Sequence, residues 1–172
     1  VAIHLRLKEG PRTIVSQFSV EGVLAYPDSL IRKNLRLEPG RPYRQRDLLH
    51  DRDHLQTLYS EDGRIDTRIY YEAIVDSAAA AIVHYRVEEG PPIRLAQVRL
   101  EGLEKTRPFV VQREVTMKPG DLLRHSDLLK TQTAVFSTGL FRSVIVRAAM
   151  DSSDAVARDV TILVRERDAG AL

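Results

Sequence analysis

Two histidines with the spacing of a metal-binding pair are the first candidates for chemistry in this sequence. His50 and His54 lie four residues apart in a segment with helical periodicity, and two imidazoles with this spacing on one helix face can share a metal ion. The segment has no Glu in the position that a helical zinc-protease motif requires. In a second copy of the same pattern, described below, the equivalent positions hold Lys130 and Ala134. These observations favour a solvated helix face, and we predict no metal site.

No other set of residues in the sequence has the makings of a catalytic site. His4, His84 and His125 have no evident nucleophile or acid partner. The Pro-Gly and Glu-Gly pairs lie at the ends of predicted helices and strands, and none has the spacing of a phosphate-binding loop. We therefore predict that the chain is not an enzyme, that it has no catalytic residues and that it uses no cofactor.

Composition and charge narrow the functional classes further. The 172 residues are 43% hydrophobic and 29% charged, which is typical of folded globular proteins. The formal net charge is only +2 and basic residues alternate with acidic ones, so we expect no nucleic-acid partner. The absence of cysteine excludes disulfides and thiolate metal sites and leaves the compartment open. No window approaches the ~18 apolar residues of a membrane helix.

An internal repeat organises the chain. Several short motifs recur 80 positions later: Glu9-Gly10-Pro11 as Glu89-Gly90-Pro91, Val20-Glu21-Gly22 as Leu100-Glu101-Gly102, and Pro39-Gly40 as Pro119-Gly120. Near the end of each copy the offset shortens to 77, because Val87 corresponds to Val164. We predict the last strand of a preceding module at residues 1–9, one module at 10–90 and a second at 91–172. Since the chain starts inside that strand and without Met, we expect it to be part of a longer protein.

The first copy has the predicted order strand, helix, helix, strand, strand. Alternation of Ser16, Phe18 and Val20 with polar residues predicts a strand with one buried face. A short helix is predicted from Pro27-Asp28 through Leu35, and a longer one from about Gln45 to a stop at Asp62-Gly63. Alternating residues then predict a hairpin of strands at 65–75 and 81–87.

The second copy repeats this order. Ala96, Val98 and Leu100 predict its first strand, and helices are predicted at Phe109 to Val115 and from about His125 to Ser137. Its hairpin pairs 144–148 with 160–164. The predicted fold class is therefore α+β, with tandem β-α-α-β-β modules that each pack two helices on a three-stranded mixed sheet.

Four motifs in this order resemble those of a known family. They are Val87-Glu88-Glu89-Gly90-Pro91, Val98-Arg99-Leu100-Glu101-Gly102, Lys118-Pro119-Gly120-Asp121 and Thr138-Gly139-Leu140-Phe141-Arg142-Ser143-Val144. Over essentially its whole length the chain resembles the polypeptide-transport-associated (POTRA) domains of the outer-membrane assembly-factor superfamily, also called the bacterial surface antigen family. The first module departs from the fourth motif, since it has Tyr59-Ser60-Glu61-Asp62-Gly63 there.

The resemblance implies a place and a set of partners. Such modules lie in the periplasm as the soluble part of an outer-membrane protein, N-terminal to a membrane β-barrel in the full-length chain. The implied partners are unfolded outer-membrane or secreted polypeptides, together with accessory periplasmic or lipoprotein subunits. The implied function is assembly or insertion of outer-membrane proteins.

Other members of the superfamily provide alternatives. One is a two-partner secretion transporter, which normally carries two modules, so the partial third copy at the start of the chain argues against it. A translocation and assembly module is a further alternative. A cell-division scaffold with a single such module is the last, and the tandem repeat argues against it.

An open sheet edge suggests how such a module could bind its client. Every three-stranded sheet has two edges with unpaired backbone groups, and an edge can accept a guest strand through main-chain hydrogen bonds. The resemblance favours the first hairpin strand as the edge and the last strand as the centre. The predicted peptide-binding edges comprise Thr67, Arg68, Ile69, Tyr70, Tyr71, Ala73 and Val75 in the first module and Ser143, Val144, Ile145, Val146 and Ala148 in the second.

The connection between the modules is short and contains two consecutive prolines. We predict an inter-module hinge at Glu89, Gly90, Pro91 and Pro92. Because proline fixes one backbone dihedral, we expect this hinge to allow only a limited range of angles between the modules.

Overall fold

A computed structural model of the chain describes residues 12–23, 25–149 and 156–167. The predicted strand of a preceding module, at residues 1–9, lies outside this range. The chain divides into two compact units, one running to Gln56 and including Arg68–Glu88, the other made of Thr57–Thr67 and the residues from Glu89 onward. Among the described residues, no helix is both long enough and apolar enough to cross a membrane.

The first module has two helices and a three-stranded mixed sheet. Its elements are β1 (Ile14–Glu21), α1 (Asp28–Arg32), α2 (Gln45–Glu61), β2 (Arg68–Val75) and β3 (Ala80–Glu88). The strand order is β1-β3-β2. The last strand, β3, is thus central, parallel to β1 and antiparallel to β2.

The second module has the same architecture, which confirms the predicted α+β class. Its elements are β4 (Arg94–Glu101), α3 (Pro108–Gln112), α4 (His125–Ser137), β5 (Phe141–Ala148) and β6 (Ala157–Glu166). The strand order is β4-β6-β5, again with the last strand in the centre. It is parallel to β4 and antiparallel to β5.

Alternate residues of the central strand form the core of the first module. Ala81, Val83, Tyr85 and Val87 are buried, whereas the residues between them are exposed or half-buried. The Tyr85 hydroxyl donates a hydrogen bond to the Leu48 carbonyl of α2 at 3.0 Å. Burial, reinforced by the charge of nearby Asp51, raises the pKa of Tyr85 far above its ordinary value. The phenol therefore remains a proton donor in the core.

A buried carboxylate fixes the segment after α1. Asp51 is fully buried, and its two carboxylate oxygens accept hydrogen bonds from the backbone amides of Arg36 and Leu37 at 2.8 and 2.9 Å. The equivalent residue of the second module is Thr131, which is 1% exposed. Its hydroxyl has no hydrogen-bond partner among the described residues. The two modules thus differ in how they use the same buried helix position.

The core of the second module forms two clusters. Each includes one residue of α4 and at least one residue of β6. One cluster contains Ile93, Leu95, Met117, Leu123, Leu128 and Val160, and the other contains Val111, Val135, Phe141, Val144, Ile162 and Val164. The long-helix and central-strand predictions are confirmed, because their apolar stripes form these clusters.

Three predicted element lengths were wrong. Helix α1 ends at Arg32 instead of continuing through Leu35, because Asn34 takes a left-handed conformation with φ of 77° that no α-helix accommodates. Strand β2 starts at Arg68 and not at Ile65, since the preceding residues form turns that follow α2. The amides of Arg64 and Thr67 donate to the carbonyls of Tyr59 and Arg64 in these turns. The second short helix likewise ends at Gln112, not at Val115.

A β-bulge near the start of the first strand in each module shifts the buried face. The register between strands slips between Val15 and Gln17, and again between Leu95 and Val98. The bulge inserts one extra residue, so the strand buries Val15 and Leu95 instead of the predicted Ser16 and Ala96, which are exposed. The first strands are therefore correctly placed in the sequence, but the inward face was assigned wrongly at Ser16 and Ala96.

The recurring Glu-Gly pair marks a close approach between strands. Gly22 and Gly102 follow β1 and β4 with φ of +81° and +84°. A Cβ atom on either would lie 2.1 Å from the carbonyl oxygen of Val87 or 2.0 Å from that of Val164. Glycine is required here for both its backbone conformation and its missing side chain.

Candidate functional site

The first hairpin strand of the first module lies at an edge of its sheet. In the described residues, β2 has β3 as a neighbour on one side and no strand on the other. The register is constant along the pair, and the Asp76 amide just beyond it donates to the Ala80 carbonyl at 3.0 Å. Because hydrogen-bonding direction alternates along a strand, the amides and carbonyls of every second residue point to the open side. These residues are Ile69, Tyr71, Ala73 and Val75.

The equivalent edge of the second module is β5. Its register with β6 is constant from Ser143 to Ala148, and the Ala149 amide donates to the Asp159 carbonyl at 2.9 Å. By the same alternation, the backbone groups of Val144, Val146 and Ala148 point away from β6. The topology thus agrees with the prediction that the first hairpin strand is the edge and the last strand is central.

The opposite edge of each sheet is partly covered by the chain itself. The Pro-Gly loop lies beside the start of β1, where Val15 donates to the Arg41 carbonyl and accepts from the Gly40 amide, both at 2.8 Å. In the second module, Leu95 makes the same pair of bonds with Asp121 and Gly120 at 2.9 and 2.8 Å. The recurring Pro-Gly motif therefore occupies the beginning of β1 and β4, and the two edges of each sheet are not equally accessible.

A groove of about 400 Å³ lies between α4 and β5. It is lined by Gln132, Thr133, Phe136, Arg142, Ser143 and Val144. Phe136 contributes a large exposed ring, 47% accessible, from the last turns of α4. A strand added to β5 would place its inward side chains in this groove, because inward residues of adjacent strands share one face of the sheet.

Aromatic and cationic side chains surround the edge of β2. A groove of about 400 Å³ is lined by Tyr70, Tyr71, Glu72, His84 and Arg86. The Arg86 guanidinium lies 4.8 Å from the Tyr70 ring centre on the outer face. On the inner face, the Arg52 guanidinium lies 5.7 Å from the Tyr71 ring centre. An arginine side chain thus contacts each of the two tyrosine rings beside the first edge.

The structure places most of the predicted edge residues in the edge strands. Arg68, Ile69, Tyr70, Tyr71, Ala73 and Val75 belong to β2, and Ser143, Val144, Ile145, Val146 and Ala148 belong to β5. Thr67 does not belong to β2. Its backbone is in the preceding turn, and its hydroxyl oxygen accepts a hydrogen bond from the Gly90 amide at 3.1 Å. Its side chain is buried, so Thr67 anchors the strand and cannot offer an edge.

The four predicted hinge residues differ in their local contacts. The Glu89 carboxylate accepts a hydrogen bond from the Tyr59 hydroxyl at 2.7 Å. Gly90 is buried, and its carbonyl accepts from the Arg64 guanidinium at 2.8 Å. Pro91 and Pro92 are exposed. A hinge at this connection remains a prediction.

Sequence reasoning missed one position of the longer helix. In each module the residue at this position contacts the edge strand of the same module. Gln132 of α4 accepts a hydrogen bond from the Val146 amide at 3.3 Å, and Arg52 of α2 lies over the ring of Tyr71. The two residues are 80 positions apart, as the repeat requires. Gln132 is also one turn after the buried Leu128, so the repeat and the helical period together could have identified it.

The second module also contains a carboxylate held by consecutive backbone amides. Glu166, at the end of β6, accepts hydrogen bonds from the amides of Glu104, Lys105 and Thr106, the last at 2.8 Å. These bonds, led by that of Thr106, lower the pKa of Glu166 from 4.5 to about 2. The equivalent position in the first module is Glu89, 77 residues earlier.

In the part of the chain that the structure describes, His50 and His54 do not belong to a larger group of metal ligands. In residues 12–23, 25–149 and 156–167, no cluster of three or more His, Cys, Asp or Glu side chains has the geometry to hold a metal ion. His50 lies beside the buried Asp51, with 3.3 Å between Nδ1 and Oδ1.

A comparison with protein families matches both modules. The model of the POTRA family, described as surface antigen variable number repeat, matches residues 13–90 and again residues 93–167. The two matched segments together cover most of the chain.

Comparisons with individual proteins point the same way. An outer membrane protein assembly factor BamA from Nitratidesulfovibrio vulgaris is 25% identical over 184 residues, which cover 100% of this chain and 22% of that protein. One from Neorickettsia risticii is 21% identical and covers 100% of this chain and 23% of its own length. The chain therefore spans less than a quarter of these relatives.

A solved structure supports the same fold. The crystal structure of Haemophilus influenzae BamA POTRA3-5 superposes with a TM-score of 0.78 at 18% identity, covering 91% of this chain and 63% of that one. At this level of identity the likeness concerns the fold, since function is carried by sites and not by the fold itself.

Proposed function

Because this chain belongs to the POTRA family of surface antigen variable number repeats, we propose that it is the periplasmic part of an outer-membrane protein assembly factor. Its role would be to bind unfolded client polypeptides, not to catalyse a reaction. The names of the two BamA relatives support assembly of outer-membrane proteins as the process. We further propose that the full-length protein continues into a membrane β-barrel and recruits accessory periplasmic or lipoprotein subunits.

The proposed mode of binding is strand addition at β2 and β5. The observation that carries it is the position of these strands: each is an edge whose outward amides and carbonyls have no strand partner among the described residues. An extended peptide can pair with such groups through its own main chain, which makes binding depend little on sequence. This property suits a protein that handles many clients.

The edge of β5 combines outward backbone groups with the groove beside Phe136. The edge of β2 has Arg52, Arg86 and Glu72 beside it. An unfolded barrel strand alternates apolar and polar residues. Its apolar side chains would enter the groove while its backbone pairs with β5.

A backbone amide titration tests this proposal. We expect a ten-residue peptide with alternating Val and Thr, added to the ¹⁵N-labelled chain, to shift the amide signals of Val144, Val146 and Ala148. Smaller shifts are expected at Ile145 and Arg147, whose amides bond to β6. A peptide of the same composition with all Val residues in one block provides the control for non-specific apolar contact. If the alternating peptide leaves the signals of β5 and β2 unmoved, strand addition is wrong for this chain.

A further inference from the structure

A side chain of α4 is hydrogen-bonded to the edge of β5 and has to move away before a guest strand can pair with that edge. The Gln132 carboxamide oxygen accepts a hydrogen bond from the Val146 amide at 3.3 Å. Val146 lies in the middle of the edge, between Val144 and Ala148, and its amide points away from β6. A guest strand needs that same amide as a donor, so the guest and Gln132 compete for one hydrogen.

The equivalent position covers the equivalent residue in the first module. Arg52 and Gln132 are 80 residues apart, and each contacts the edge strand of its own module. Arg52 lies over Tyr71, which pairs with Tyr85, and Gln132 bonds to Val146, which pairs with Ile162. Since Tyr85 and Ile162 are themselves equivalent by the offset of 77, the same helix position reaches the same point of both edges.

We propose that this helix position is a latch, a side chain that covers the centre of the binding edge while no client is bound. In the second module it does so through the hydrogen bond between Gln132 and the Val146 amide. The proposal rests on the proposed function, because it regulates the same edge. An exposed edge is a template for unwanted pairing between chains, and proteins reduce this risk by covering the edge or placing charge on it. Gln132 satisfies the central amide while no client is present and yields it to a client that supplies several bonds at once.

The length of the bond indicates that the latch opens at low cost. At 3.3 Å it is longer than the usual 2.9–3.0 Å of an amide hydrogen bond. Gln132 is half-buried and lines the groove beside β5, so its released side chain can turn toward solvent. A net hydrogen bond of this kind changes an equilibrium by about threefold to tenfold. The latch therefore tunes the affinity for clients without blocking them.

Two substitutions of similar size should change the latch in opposite directions. Gln132→Met keeps the length of the side chain and removes the acceptor, so the alternating Val and Thr peptide should bind about threefold to tenfold more tightly. Gln132→Glu presents a charged acceptor, which forms a stronger bond with the Val146 amide and should weaken peptide binding by a similar factor. Lys130→Gln is the matched control, because it changes the charge of α4 by the same amount at an exposed residue that does not line the groove. Its effect should be smaller.

Hydrogen exchange of the Val146 amide in the full 172-residue chain tests the latch without any client. Exchange should be faster in Gln132→Met and slower in Gln132→Glu than in the wild type, with the Ala148 amide as the internal reference. Unchanged exchange in both variants overturns the latch, even if the peptide binds. If exchange responds as predicted but the peptide binds neither the wild type nor the variants, the hydrogen bond is confirmed and strand addition is wrong. Peptide affinities that move in the same direction in both variants also overturn the latch.

Discussion

Replacement of Gly102 by alanine should damage the second module far more than the same change at Gly120. Both glycines have positive φ, +84° and +92°, which costs an alanine about 1–2 kcal/mol. They differ in their surroundings. A Cβ on Gly102 would lie 2.0 Å from the Val164 carbonyl oxygen, whereas a Cβ on Gly120 would have nothing within 4 Å.

The difference sets the expected magnitude. Non-bonded contacts below 3.0 Å are essentially never observed at a real Cβ, so the end of β4 and the central strand have to separate by about 1 Å in a close-packed region. Overpacking of this kind adds about 1–3 kcal/mol. We therefore expect Gly102→Ala to lower the free energy of unfolding by about 2–5 kcal/mol and Gly120→Ala by about 1–2 kcal/mol.

Native-state hydrogen exchange can resolve this difference module by module. Protected amides of β6 report on the second module, and those of β3 provide the reference within the same chain. The expected result is a much larger loss of protection in β6 for Gly102→Ala than for Gly120→Ala. Losses that agree within about 0.5 kcal/mol would refute the close-approach explanation of the Glu-Gly motif.

Three further changes test the buried polar groups and the anchored carboxylate. Asp51→Asn should lower the free energy of unfolding of the first module by about 2–3 kcal/mol. The amides of Arg36 and Leu37 donate to different carboxylate oxygens, and in asparagine one of these oxygens is replaced by an NH2 group that cannot accept. Loss of protection in β3 measures this change, and an unchanged value contradicts it. Thr131→Val should be neutral or stabilise the second module by up to about 1–2 kcal/mol, since the buried hydroxyl lacks a partner among the described residues; a clear loss of protection in β6 would show that a partner exists. Glu166 has a pKa lowered from 4.5 to about 2 in the folded state, so its contribution to stability is complete above pH 4.5 and is lost as the pH falls toward 2. Thermal unfolding followed over this range should therefore depend less on pH in Glu166→Gln than in the wild type, and parallel pH profiles would show that the amide contacts of Glu166 do not stabilise the fold.

The parts of the fold that repeat with regular spacing could be predicted from the sequence. Helix α4 was predicted at His125–Ser137 and has those bounds in the structure, because its apolar stripe follows the helical period without interruption. The central strands were also predicted, since their buried residues alternate with exposed or half-buried ones. These elements contain most of the core residues, and their pattern occurs twice in the sequence because of the repeat.

The errors arose where tertiary structure overrides local pattern. The extra residue at Ser16 turns the strand before Phe18, and nothing in the alternation of apolar residues reveals a bulge. Thr67 continues the alternation of β2 in sequence but lies in a turn, because its hydroxyl and amide are used to hold the segment after α2. The edge strands were predicted through the family resemblance. The repeat and the helical period could have identified the position of Gln132, but only the folded structure shows its hydrogen bond with the Val146 amide.

Selective N-methylation of the guest peptide tests most directly whether β5 binds clients through main-chain hydrogen bonds. Two versions of the alternating Val and Thr peptide would carry N-methyl groups on all Val nitrogens or on all Thr nitrogens. An antiparallel guest bonds to β5 through the amides of its inward residues, and a parallel guest through those of its outward residues. We predict that one methylated peptide loses binding in the amide titration of β5 while the other binds like the unmodified peptide. Equal binding of all three peptides would contradict strand addition at this edge.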